Sequence, residues 1–439
     1  MSEKTKKQLR WVRLDNAAKI YPAARRRNWS SIFRQSVTLS EEVDRDVLKS
    51  ALDVTVKRFP TIAARLRRGA FWYYLEQIEL PPELTEEKSF PLSFMDKREL
   101  RKCAFRVIPY KNRIAVEFFH SLTDGTGALI FLKSLTAEYL EQKYNISVPC
   151  EKGVLDRREQ PHPDELEDSF PKHAGKVPIS RKETSSWQLS GEIEENGFLN
   201  LTCFKLQVEH LRELAHKQGV TLTVFMSAVV MQALIELQKE KIPNEKKRKL
   251  IKILIPINLR SLFESKTLRN FAMYTLPELD PRLGEYEFAE ICNIIKHKMG
   301  AEFTKKHMSR VIATNVNDEL NPAIRLIPLP LKNLVMKAIF DTVGIKTSCL
   351  DVSNLGNATF PEIMQKYITR VDFILGAKAA SPYNCGIISY NGIMYMNIVR
   401  NTVEPELERH IHKILRDMGV IVEVESNNVS RKEEEQCTV

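Results

Sequence analysis

The 439-residue chain lacks several features that would place it in a common class. No stretch approaches the ~18 uninterrupted apolar residues needed to cross a bilayer. The most apolar segment, "TVFMSAVVMQALIEL" at 223–237, contains polar residues and is expected to be a buried helix. The first residues, "MSEKTKKQLRWVRL", are charged and have no apolar core of a secretory signal. Seven cysteines stand at 103, 150, 203, 292, 349, 385 and 437. Their number is odd and none forms a C-x-x-C pair, so free thiols in a reducing cytoplasm are expected. Cys385 in particular is read as a packed thiol. No repeat of fixed period is present.

Several catalytic motifs are missing too. There is no phosphate-binding G-x-x-x-x-G-K-[ST] loop, no G-x-S-x-G nucleophile elbow and no H-E-x-x-H zinc motif. Gly125 and Gly127 begin a G-x-G pattern, but Ile130 occupies the place of the third glycine. His410 and His412 lie two apart on a predicted helix, so they share no face for a metal. Net charge is +10, and the first 27 residues are especially basic. Zinc-finger spacing, RNA-binding aromatics and basic heptads are all lacking, so no nucleic-acid partner is expected. Solvated surface charge is the simplest reading of the excess; attraction of an anionic, phosphate-bearing cofactor is another.

What is present describes a globular protein: 43% hydrophobic and 28% charged residues. The length suggests two domains of roughly 200 residues. Residues 40–60 predict an amphipathic helix, with Ser40 as cap, Val43, Val47, Leu48, Ala51 and Leu52 as apolar stripe, and Pro60 as stop. Residues 104–109 and 113–120 predict strands joined by a turn at Tyr110-Lys111-Asn112. Ile114, Val116 and Phe118 share one face of the second strand, as does His120 if the strand reaches it. A turn at Asp124-Gly125 and a helix with Ala128, Leu132, Leu135 and Tyr139 on one stripe come next.

Residues 151–187 are rich in proline and charge and read as an interdomain connection. Beyond it the pattern predicts a strand at 199–206, a helix through Leu211 and Leu214 closed by Gly219, and a buried strand at 250–257. A hairpin at 386–399 turns on Asn391-Gly392, and a helix covers 407–418. The polar tail "ESNNVSRKEEEQCTV" is expected to be disordered. The expected division is an N-terminal domain at 1–175, a connection at 176–198, a C-terminal domain at 199–425 and a tail at 426–439. Both domains mix strands and helices.

The stretch "FFHSLTDGTGALIFL" at 118–132 holds the candidate chemistry. A histidine at a strand end before a turn can be reached by substrates. Its ordinary pKa near ~6.5 leaves it largely neutral at pH 7, as a general base must be. Gly125 lets the backbone turn where a Cβ would clash. His120, Ser121 and Asp124 are too close in sequence to line up as a hydrolase triad.

His120-Ser-Leu-Thr-Asp124-Gly125, between a strand and a helix, resembles the H-x-x-x-D-G signature of the CoA-dependent acyltransferase superfamily. That group includes chloramphenicol acetyltransferase, plant BAHD acyltransferases, alcohol acetyltransferases and peptide-synthetase condensation domains. "PINLRSLF" (256–263), followed by "LRNFAMY" (268–274), resembles the family's P-x-N/D-L-R segment and the Asn-Phe after it. "DVSNLG" (351–356) resembles its Ser/Thr-Asn-x-Gly strand. The N-terminal run from "RLDNAAKIYP" to "KRFPTIAARL" resembles the opening of the alcohol acetyltransferase branch. These features occur in the family's order over roughly 13–400.

The resemblance implies two tandem chloramphenicol acetyltransferase-like α/β sandwich domains with an active-site tunnel at their interface. It implies His120 as the base that deprotonates an acceptor alcohol or amine for attack on an acyl thioester. Acyl-CoA would be a co-substrate, and no cofactor would be bound permanently. It implies that Asp124 points away from the tunnel and forms a bidentate pair with Arg260, and that Asn258 is structural. Ser353 and Asn354 could donate hydrogen bonds to the oxyanion. The chain departs from the family at Phe119, where condensation domains carry a second histidine, which favours the acetyltransferase branch. It also lacks the BAHD D-F-G-W-G motif and a G-x-D-S carrier signature. An acyl-CoA-dependent O-acyltransferase is the leading expectation. A free-standing condensation-type enzyme using an acyl carrier protein in trans and a non-catalytic tunnel-binding protein are the alternatives.

Overall fold

Three sheets carry the fold in the computed structural model, which describes residues 11–25, 31–179, 183–339, 346–377 and 381–428. The first half supplies β1 (Trp11–Arg13), β2 (Ile32–Leu39), β3 (Ala64–Arg68), β4 (Tyr73–Gln77), β5 (Phe105–Tyr110) and β6 (Arg113–Phe119). The second half supplies β7 (Asn200–Gln207), β8 (Ile251–Asn258), β9 (Ala272–Thr275), β10 (Glu278–Leu279), β11 (Leu350–Asn357), β12 (Ile368–Leu375), β13 (Tyr383–Tyr390), β14 (Ile393–Arg400) and β15 (Glu423–Ser426). A small sheet has the order β1-β4-β3, and a four-stranded sheet the order β12-β2-β6-β5. The large sheet runs β10-β8-β11-β13-β14-β7-β15, with β9 paired to β8.

Strand β12 comes from the second half yet pairs antiparallel with β2, Phe373 opposite Gln35. The expected boundary between 175 and 199 is therefore crossed by one strand of the four-stranded sheet. That sheet meets the large one where β12 lies over β13. A Cβ on Gly386 would strike the Phe373 carbonyl, so glycine is required for the close approach. The connecting stretch is pinned as well. Phe170 is fully buried beside Phe271 and Ile257, and Glu165 accepts two hydrogen bonds from the buried Arg58 guanidinium at 2.6 and 2.8 Å.

Two long helices fill the cores because they are apolar nearly all round. Gly125–Tyr144 packs behind the four-stranded sheet. Leu222–Lys241, capped by Thr221, packs on the large sheet. The second is long and apolar enough to cross a membrane by length and composition, but 72% of its apolar window is buried within the protein. Strand β6 is buried on both faces rather than one. Ile114, Val116 and Phe118 share the expected apolar face, and the opposite face holds Glu117. That carboxylate is satisfied by Arg34 at 2.8 Å, Arg106 at 3.3 Å and the Leu92 amide at 2.7 Å, as a buried charge must be.

Local expectations hold with small shifts. The helix at 40–60 runs Arg45–Arg58 and is capped by Asp44, not Ser40. The Asp44 carboxylate receives the Asp46 and Val47 amides, while Ser40 lies outside the first turn. Strand β6 stops at Phe119, one residue short of His120. The Asn391-Gly392 turn has φ of 47° and 78°, as a type I′ hairpin needs. The polar tail is ordered at its start. Glu425 and Ser426 pair with β7, and Asn427 accepts the Leu201 amide; residues 429–439 lie outside the described residues. The six described cysteines are free thiols.

Candidate active site

The end of β6 brings His120 to the meeting point of the two halves. Its amide donates to the Ser31 carbonyl at 2.9 Å, which fixes the backbone as it leaves the sheet. Its ring stacks on Tyr21 with centroids 4.4 Å apart and 13° between planes. Phe33 meets it edge-on at 5.0 Å. The imidazole Nδ1 lies 3.1 Å from Asn270 Oδ1. Asn270 Nδ2 in turn donates to Asp15 Oδ2 at 3.3 Å. This second bond sets the amide's orientation, since only Oδ1 can then face the ring. The proton is thereby placed on Nδ1, and Nε2 keeps its lone pair.

Electrostatics agree with a neutral imidazole. Burial pushes the His120 pKa below its ordinary value; its own backbone carbonyl, the Asp124 charge and Asn270 oppose this without reversing it. Burial likewise pushes the Tyr21 phenol up, helped by the charges of Asp15, Asp351 and Asp124, so its hydroxyl stays protonated beside the ring. Asp15 is fully buried. Desolvation raises its carboxyl, and Arg269, 3.7 Å away, opposes the rise.

Asp124 serves as anchor rather than partner. Its Oδ1 caps the helix Gly125–Tyr144, receiving the Thr126 and Gly127 amides at 3.1 Å each. Its Oδ2 receives Arg260 Nη1 at 2.7 Å and the Phe271 amide at 2.8 Å. The expected bidentate geometry is therefore corrected to a single charge-assisted contact, because the second oxygen is used by the cap. Burial would raise the Asp124 carboxyl, but the Arg260 guanidinium together with the Phe271 and Gly127 amides holds the group below its ordinary value. Arg260 fills its other donors on the Thr267 and Arg269 carbonyls at 2.8 and 2.6 Å. Asn258 caps the Arg260 amide at 3.1 Å and reaches Thr126 Oγ1 at 3.2 Å, a wholly structural set of contacts.

The glycine demanded by the loop is not the expected one. Gly125 has no positive φ. It is the first residue of the helix, and a Cβ there would press on the flexible Leu355 side chain of β11 at 2.7 Å. Gly127 is the tight position: a Cβ would collide with the Leu268 carbonyl and Thr123 Oγ1. Those two groups are themselves hydrogen-bonded at 2.6 Å, so neither can yield freely. Gly127→Ala is expected to lower stability by about 2 kcal/mol or more, read as a fall in urea midpoint; Gly125→Ala should cost less.

Ser353 and Asn354 lie in β11, and Ser353 is in register with Gly386. The Asn354 amide donates to Thr223 Oγ1 at 3.1 Å and its oxygen receives the Gly356 amide at 2.8 Å, so its side chain is committed to the fold. His410 faces Glu240 at 3.2 Å on the surface of the second half. No cluster of potential metal ligands occurs among the described residues. A cleft of about 640 Å³ lies beside the N-terminal segment, lined by Leu14, Lys19 and several aromatics, and does not include His120 in its lining.

Sequence reading singled out His120, Asp124 and Arg260, and these gather within one hydrogen-bonded loop system. It missed Asp15, Tyr21 and Asn270 as site residues. All three lie within stretches that already carried the family resemblance, "RLDNAAKIYP" and "LRNFAMY". Their contacts span separations of 150 and 255 positions, which no local pattern encodes.

No family model matches the chain, and no curated protein matches it. Solved structures do. TRI101 of F. graminearum, solved with coenzyme A and T-2 mycotoxin, is similar with a TM-score of 0.59 and 12% identity, covering 91% of this chain and 96% of that one. The trichothecene 15-O-acetyltransferase TRI3 of Fusarium sporotrichioides gives 0.58 and 10%, covering 94% and 96%. The first condensation domain of the CDA synthetase gives 0.55 and 12%, covering 93% and 95%. Across nearly its whole length the chain has the two-domain, chloramphenicol acetyltransferase-like α/β fold of these acetyltransferase and condensation-domain structures.

Proposed function

We propose that the protein transfers an acyl group from a CoA thioester to an acceptor hydroxyl, with His120 as general base. The observation that carries this reading is the Asp15–Asn270–His120 chain, which leaves a neutral imidazole with Nε2 unprotonated. In the reaction His120 Nε2 takes the hydroxyl proton as the oxygen attacks the thioester carbonyl. The tetrahedral oxyanion then collapses, the C–S bond breaks, and the imidazolium returns the proton to the leaving thiolate. The products are an ester and free CoA, with no covalent acyl-enzyme. Ser353 remains a candidate oxyanion donor, whereas the commitments of Asn354 make it a poorer one. Asp124 and Arg260 hold the loop. Similarity to a structure solved with coenzyme A and to a named 15-O-acetyltransferase supports this assignment. A cytoplasmic location, where acyl-CoA is available, fits the same reading.

Similarity to a condensation domain supports a second donor class, an acyl group on a carrier protein. One assay separates the two. Purified protein is incubated with a panel of acyl-CoA esters and small alcohols or amines, and released thiol is followed with a chromogenic reagent; a carrier loaded with the same acyl group is run in parallel. Acceptor-dependent CoA release is the expected result. Transfer from the carrier alone would replace CoA as donor, and no thiol release from either donor would overturn the assignment.

A further inference from the structure

The helix Leu329–Ile339 is turned the wrong way round for a core helix. Leu331, Leu334, Val335 and Ala338 recur at the spacing of a single helical face, the spacing that normally marks the buried stripe. Here that face points outward. Leu331 is 57%, Leu334 68% and Val335 49% exposed, while Lys332 is 2% exposed. The inner face carries the buried Leu329 and is seated further by polar contacts. Lys332 lies 3.4 Å above the Trp72 ring and donates to the Phe71 carbonyl at 3.1 Å. Asn333 donates to the Tyr73 hydroxyl at 3.1 Å. Specific contacts on the inner side therefore hold the leucines in water.

We propose that this outward face docks on an anionic lipid surface. The charge around it selects the occupant. Residues 321–339 contain Arg325, Lys332 and Lys337 and no aspartate or glutamate. Arg325 and Lys337 are exposed on the same segment as the leucines. Two copies of the face would bring like charges together, whereas anionic headgroups complement them. Eleven residues make a helix about 16 Å long, too short to cross the ~30 Å hydrocarbon layer. The element therefore lies in the interface. The aromatic cleft of about 640 Å³ adjoins it through Phe71 and Leu326, and Trp11, 59% exposed, stands on the cleft's rim. Tryptophan is favoured at the headgroup level. Docking would set this cleft against the membrane, where apolar molecules concentrate.

Co-sedimentation of the full-length protein with vesicles tests the proposal. Phosphatidylcholine vesicles are compared with vesicles carrying added phosphatidylglycerol, at low and high salt. Binding to the anionic vesicles, weakened by salt, is expected. Leu331→Glu/Leu334→Glu should reduce that binding about tenfold or more with an unchanged circular dichroism spectrum. Should that variant misfold, Leu334→Gln/Val335→Gln, which adds no charge, should give a smaller loss in the same direction. Failure of the wild type to bind anionic vesicles, or equal binding by the folded variants, would overturn the proposal. So would a wild-type dimer in light scattering that becomes monomeric in the variants, since the face would then belong to a second copy.

Discussion

His120→Ala is expected to reduce kcat/KM for acyl transfer by about 10²–10⁴-fold, the usual contribution of a positioned general base. The loss should fall on kcat, because the imidazole acts on the proton in flight. Residual activity above about a tenth of wild type would remove His120 from the base role. The pH dependence follows from its environment. Burial holds the imidazole below its ordinary value of 6.5. The neutral, active form therefore persists below pH 6.5, and the acid limb of the rate profile should lie there. Asn270 supports the protonated ring, so Asn270→Ala should shift that limb to lower pH. The same change frees the ring to rotate, and kcat should fall about tenfold with little change in KM. A merely structural asparagine would leave the limb in place. Stability moves in a related sense. With the folded pKa depressed, the unfolded chain takes the proton first. The contribution of His120 to stability is thus complete above pH 6.5 and declines as the pH falls from there towards the folded value.

The second large effect concerns the loop's anchor. Asp124→Asn and Arg260→Leu are each expected to cost about 3 kcal/mol, the lower end for breaking a buried pair. The lower end applies because the contact is single and the two side chains retain 7% and 10% exposure. Asparagine can still cap the helix, so Asp124→Asn mainly strands the Arg260 charge. Arg260→Leu strands a carboxylate that keeps three backbone amides. In the double variant neither charge is left alone, and the total should fall short of the sum by about 0.5–3 kcal/mol. Urea denaturation of the four proteins measures this, and strictly additive losses would mean that the two groups are not coupled. Asp124 is held below its ordinary 3.8, so the pair's stabilisation is present above pH 3.8 and is lost only as the pH falls through the lower folded value.

Much of this architecture was legible in sequence because it is decided by near neighbours. The period-2 pattern before His120, the Asp-Gly turn and the apolar helix after it became β6, a capped turn and Gly125–Tyr144. Asn391-Gly392 set its hairpin through backbone φ alone. The spacing of His120, Asp124 and Arg260, together with the resemblance it carries, was enough to locate the site's anchor.

Where periodicity was the only guide, it left the side of an element open. The spacing of Leu331, Leu334 and Val335 marks one helical face but not which way it points, because that depends on Trp72 receiving Lys332. The strand at 368–375 was not read from the sequence, and its pairing with β2 joins residues more than 300 positions apart. Asn270 and Asp15 gained a role only when the chain brought them to the imidazole from distant segments. The sequence by itself determined which local elements form and which histidine stands at a strand end, since hydrogen-bonding and steric preferences act within a few residues. The tertiary structure alone decided which proton that histidine carries and what holds its loop, since those outcomes depend on groups that meet only after the two halves close on each other.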